Sequence, residues 1–151
     1  MKEVFEVKRS ANSDEVLKSL NGQFLNTITV TDTARTLLDS ESGSIVFLAI
    51  SGNSDVAITL PAPAAGLYFT FINALTPSGS GDAVITPVTA DTLVSMGSGD
   101  ADADGPTNVL ADTVTVEAAS IGGERLDCVS DGSFWYVYAH QQAVGSITFT
   151  G

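Results

Sequence analysis

One cysteine, Cys128, stands in 151 residues. No disulfide can close within such a chain and no zinc site can be built from paired thiolates, so a cysteine-stapled secreted scaffold is excluded. Basic residues are almost as scarce. The six are Lys2, Lys8, Arg9, Lys18, Arg35 and Arg125, against 18 acidic residues. Residues 1–18 hold four of each sign, so the two remaining arginines face fourteen carboxylates and residues 19–151 carry the whole net charge of −12. Phosphate contacts need Lys and Arg to displace counterions, so the sequence predicts no nucleic-acid binding and no attraction to anionic membrane by this body. Long apolar runs are also missing, and none approaches the roughly 18 residues of a membrane span. The N-terminal MKEVFEVKRS alternates charge with apolar residues and lacks the basic cap and apolar stretch of a secretory signal, which predicts a soluble protein made in a cytoplasm.

Ser and Thr supply 16 residues each, Ala 17 and Gly 14. A polar surface of hydroxyls with frequent Gly suits short strands and tight turns. β-Branched and aromatic runs bounded by Gly, Pro, Asn or Asp occur at residues 24–31, 44–50, 55–60, 67–74, 82–86, 112–118, 125–130, 133–139 and 145–150. Their spacing, with no helical period between them, predicts an all-β fold, an antiparallel jelly-roll-like β-sandwich over residues 23–151. Asp131-Gly132 reads as a two-residue hairpin turn. Past it, Trp135 and Val137 share one face and Phe134, Tyr136 and Tyr138 the other, and so many large residues in succession predict burial on both faces.

Residues 1–22 read as a separate N-terminal arm. Asn12-Ser13-Asp14-Glu15 offers an N-cap with Glu close behind, Val16, Leu17 and Leu20 form an apolar stripe, and Gly22 follows as a stop, predicting one short helix. Two turns are marginal alone in water, so the arm is expected to pack on something. At residues 95–108 apolar content nearly vanishes, as in an exposed excursion between strands.

Chemical constellations are few. Asp100, Asp102 and Asp104 before Gly105 match the opening of an EF-hand calcium loop, but the closing acidic position is Ala111 and no helix flanks it, so a solvated acidic loop is the preferred reading and no metal or cofactor is expected. His140 is the only histidine and follows the aromatic strand, away from any Gly-x-Ser-x-Gly elbow. Cys128 alternates with Asp127 and Val129 and reads as a small core side chain. The glycine-rich segments 78–82 and 96–100 lack the Lys of a phosphate loop and read as turns. Trp135, Tyr136 and Tyr138 would make a sugar-stacking platform only if they faced solvent. No catalytic residue is expected.

Two segments go further. Residues 58–71 (ITLPAPAAGLYFTF) and 119–138 (ASIGGERLDCVSDGSFWYVY) resemble recurring segments of small tailed-phage structural proteins: a strand ending in TLPAP, a GLxYTF strand and a closing GERLxLVSDGxxWYV. Residues 39–47 (DSESGSIVF) are similar to the piece that precedes them, so the likeness spans about residues 25–140. It implies a virion structural protein with no enzymatic activity, either a capsid decoration (cement) protein or a head-fibre or tail-fibre receptor-binding module. A lone domain with a short arm favours decoration. On that reading the protein sits on the capsid exterior, binds and stabilises the major capsid protein shell, and pairs with itself as a homotrimer. Lys2, Lys8, Arg9, Val16, Leu17, Lys18 and Leu20 of the arm are then the expected capsid contacts.

Overall fold

A computed structural model describes residues 25–74, 79–96 and 110–151. It contains twelve strands: β1 (Thr27–Val30), β2 (Arg35–Thr36), β3 (Ile45–Leu48), β4 (Val56–Leu60), β5 (Tyr68–Asn73), β6 (Ala83–Pro87), β7 (Leu93–Ser95), β8 (Leu110–Ala111), β9 (Thr113–Val116), β10 (Arg125–Ser130), β11 (Trp135–His140) and β12 (Ile147–Thr150). Nine of these coincide with the runs expected from the sequence, β6 and β11 each ending one residue past its run. The three others, β2, β7 and β8, are too short to show a period of two. The helical content among the described residues is one 3-10 turn at Asp39–Glu41. The helix expected around residues 12–20 lies outside the described residues.

The strands form a seven-stranded sheet, ordered β1-β3-β5-β10-β11-β7-β8, and a five-stranded sheet, ordered β12-β9-β6-β4-β2. Their facing sides bury one apolar cluster, with Val46, Phe69, Phe71, Leu126 and Trp135 from the larger sheet and Ile58, Leu60, Ile85, Val114 and Ile147 from the smaller. The two-layer β architecture is therefore as expected, whereas the antiparallel jelly-roll order is not. β1, β3 and β5 run parallel to one another, as do β2, β4 and β6, and β11 runs parallel to β7. From β1 to β7 the chain steps from one sheet to the other at every strand, so through β6 strands two apart in sequence become parallel neighbours, while β7 joins the larger sheet beyond β11. Runs separated by short polar segments look the same in sequence whether the chain turns back beside itself or crosses to the opposite layer. Only from β8 onward do antiparallel pairs dominate.

Stacked corners hold these windings in register, and aspartates cap them. Asp32 accepts the backbone N–H groups of Ser51 and Gly52 at 2.8 and 2.7 Å. One winding on, Asn53 accepts from Ser80 and Asp55 from Asp82 N, and Asp82 in turn accepts from Ala118 N at 2.7 Å. These backbone donors lie beyond the strand ladders, where an unpaired N–H is costly once water is excluded. The Ser51 and Gly52 N–H groups and the Ser51 hydroxyl, 3.0 Å from Oδ2, hold the Asp32 carboxyl below the ordinary carboxylate pKa, the Gly52 N–H having the largest effect. The turn at 79–82 closes against the 51–54 corner so tightly that a Cβ on Gly79 or Gly81 would fall 1.9 Å from Gly52 O or 2.2 Å from Ser54 O. Glycine is required at both positions by this contact.

Candidate binding face

Alternation in β5, β10 and β11 sends Phe69, Phe71, Leu126, Cys128, Trp135 and Val137 inward, all at most 1% exposed. The neighbouring positions therefore pave the outer face of the seven-stranded sheet. Register aligns them in rows. Asp127 lies between Thr70 and Tyr138, Val129 between Tyr68 and Tyr136, and Arg125 between Ile72 and His140. Tyr138 is 44% exposed, Val129 41% and Tyr68 36%. The expectation that β11 is buried on both faces is thus corrected. The core needs one face of the strand, and no element of the described chain covers the other.

A polar network runs through the centre of this face. Thr70 Oγ1 donates to Asp127 Oδ1 at 2.7 Å, and Tyr68 Oη lies 2.6 Å from Thr70 Oγ1. Arg125 donates to the same carboxylate oxygen from Nε at 3.0 Å and from Nη2 at 2.8 Å. His140 Nε2 lies 3.5 Å from Asp127 Oδ2. Hydrogen bonding to Asp127 raises the Arg125 pKa further, so the guanidinium is charged at every pH of interest. Thr70 belongs to the outer face by register and is nevertheless only 2% exposed. The Tyr68 hydroxyl reaches along its own strand to Thr70, which ties the end of that side chain to the sheet.

The β10–β11 hairpin closes the face at one end. Asp131 N donates to Phe134 O, so the turn centres on Gly132 and Ser133, one residue later than the sequence suggested, with Gly132 at φ +106°. Asp131 Oδ1 accepts from Ser133 N and Phe134 N at 2.8 and 2.9 Å, and Oδ2 accepts from Tyr136 Oη at 2.9 Å. Those donors, Phe134 N–H first, hold the Asp131 carboxyl below its ordinary pKa, and the bond to Asp131 raises that of Tyr136.

Other residues singled out by sequence fall elsewhere. Trp135 is buried, ruling it out as an exposed sugar platform, and its Nε1 donates to Pro61 O at 3.1 Å. Cys128 is buried, and desolvation pushes its thiol pKa far up, which leaves it inert as a nucleophile. His140 is exposed at a strand end with Asp127 as its acidic neighbour. Asp100, Asp102 and Asp104, and the arm residues Lys2, Lys8, Arg9, Val16, Leu17, Lys18 and Leu20, lie outside the described residues. Among the described residues no group of three His, Cys, Asp or Glu side chains could hold a metal ion. Tyr68 was missed in the sequence. The run from 67 to 74 marks a strand, but nothing local says which side of it faces outward or that Asp127, 57 residues away, meets Thr70. Neither a family model nor a curated protein matches the chain.

Proposed function

We propose that this chain is a virion structural protein of the capsid-decoration kind, bound to the outside of a major capsid protein shell and stabilising it. One observation carries the reading: the segments that resemble phage structural proteins are occupied in building the sandwich. The TLPAP turn meets the closing motif where Trp135 Nε1 bonds Pro61 O, Gly66 N donates to Ser130 O at 2.9 Å, and the Phe69 and Trp135 rings pack with centroids 5.9 Å apart. The described carboxylates of Asp32, Asp55, Asp82 and Asp131 are likewise engaged as turn caps. What the fold offers a partner is therefore broad sheet faces, which suits an assembly protein better than a catalyst.

The outer face of the five-stranded sheet supports self-association. Its row Ala57, Val84, Thr115 and Thr148 crosses four strands, Thr59 and Thr86 lie beside it, and no outward position of β4, β6, β9 or β12 is ionisable. Copies each bearing −12 repel, so they meet best on a hydroxyl-rich surface of low charge such as this one, where the Glu117 carboxylate just past β9 is engaged by Thr148 Oγ1 at 2.7 Å. The homotrimer is proposed to form here. The arm, residues 1–22, carries four of the six basic residues and is the proposed capsid anchor.

Copy number in purified particles tests the function. Decoration requires on the order of hundreds of copies spread over the shell in a particle map, while a few copies at one vertex would replace it with the fibre reading. Removal of residues 1–22 is expected to abolish co-sedimentation with capsids while the far-ultraviolet spectrum stays that of a β protein. Undiminished co-sedimentation would refute the anchor.

A further inference from the structure

We propose that the outer face of the seven-stranded sheet is a binding site for a neutral saccharide, centred on Tyr68, Asp127 and Tyr138. Three observations converge on that ligand class. The first is stacking surface. Tyr68 is 36% exposed with its hydroxyl held 2.6 Å from Thr70 Oγ1, and Tyr138 stands on the far side of Asp127, 44% exposed. Hexopyranose rings present flat apolar C–H faces that pack on aromatic rings, and Tyr provides such a surface at small entropic cost when its hydroxyl is already held.

The second is the polar centre between the rings. Arg125 and Asp127 form a charged pair whose carboxylate Oδ1 is fixed by Thr70 and by two guanidinium N–H groups, while Oδ2 is met by His140 at 3.5 Å. The pair presents donors and acceptors side by side in a fixed orientation. A sugar hydroxyl, at once donor and acceptor, is recognised by such a set with charge-assisted hydrogen bonds. The third is charge. Arg125 and Asp127 cancel on this face, and the net −12 of the chain disfavours acidic glycans, which leaves neutral sugars as the class that fits.

Arrangement adds a size. Tyr68 and Tyr136 sit on either side of Val129, one strand away each, so their Cα atoms are about 10 Å apart, and Tyr138 lies about 7 Å along the strand from Tyr136. That footprint matches two or three hexose units.

The test uses the full-length protein and a panel of neutral trisaccharides based on glucose, galactose, mannose and N-acetylglucosamine, with a sialylated trisaccharide as the charged control. Two-dimensional NMR titration to about 10 mM is expected to show binding of at least one neutral sugar with Kd on the order of 1 mM or tighter, with shifts confined to β5, β10 and β11. Tyr138→Ala and Tyr68→Ala should each weaken it about tenfold while Trp135 emission, reporting the core behind the sheet, stays unchanged. Tyr138→Phe keeps the ring and should keep most of the affinity. No binding across the panel, shifts on another surface, or binding indifferent to both alanine variants would overturn the proposal. So would loss of the oligomer in Tyr138→Ala, which would assign the face to a second copy of the chain. None of these readouts involves capsids, so a failure here is separable from a failure of the decoration reading.

Discussion

Trp135 shows how much one side chain can hold. It is fully buried, packs on Phe69 and gives its only donor to Pro61 O, so it joins the last antiparallel hairpin to the turn that follows β4. Trp135→Ala leaves a large cavity and an unpaired carbonyl, and is expected to cost about 3–5 kcal/mol in urea unfolding. Trp135→Phe fills most of the volume and isolates the lost hydrogen bond, at about 1–3 kcal/mol. A cost for Trp135→Ala below 1 kcal/mol would mean that the turn and the hairpin are held together by other contacts. Alternation alone placed Trp135, Val137 and Cys128 on one side of their strands. It could not say that the side bearing Tyr136 and Tyr138 is open, because period two separates two faces without naming the one that is covered.

At the scale of the element, the β10–β11 hairpin depends on an aspartate that does three jobs. Asp131 caps Ser133 N and Phe134 N and takes the Tyr136 hydroxyl, so its carboxyl pKa is depressed and that of Tyr136 is raised. The signs fix the pH windows. A depressed carboxyl contributes stability above its ordinary pKa of about 4, and this is lost as pH falls through the lower folded value. A raised phenol contributes below its ordinary pKa of about 10, and this is lost as pH rises through the higher folded value. Asp131→Asn should therefore flatten the acid limb of the melting-temperature profile below about pH 4 and let one tyrosine ionise earlier in an ultraviolet phenolate titration. An unchanged acid limb together with an unchanged phenolate titration would show that the cap is not formed in solution. The turn itself was legible from Asp131-Gly132. The caps of the other corners were not, because Asp32 and Gly52 are 20 residues apart and become neighbours only once the windings stack.

For the whole molecule, nine of the twelve strands were legible and their connections were not. Nine runs marked the strands with local chemistry, yet the chain's passage from sheet to sheet between β1 and β7 depends on which layer each run joins, and inward-facing residues such as Val46 and Ile58 look alike whichever sheet holds them. The winding has a consequence for assembly. It ends in a five-stranded sheet whose outward positions on β4, β6, β9 and β12 are uncharged, while the capping carboxylates crowd the corners. If copies join through that sheet, a long charged side chain at its middle displaces the apolar and hydroxyl packing, and the Glu117 carboxylate just past β9 is already engaged by Thr148 Oγ1 at 2.7 Å. Thr115→Lys should then convert a trimer of about 47 kDa, three times 15.6 kDa, into a monomer of 15.6 kDa by light scattering. Thr115 is a half-buried strand residue, so the fold should survive the change, and a circular dichroism melt would confirm it. A wild-type chain that scatters as a monomer, or a folded Thr115→Lys variant that stays trimeric, would remove this face from the assembly.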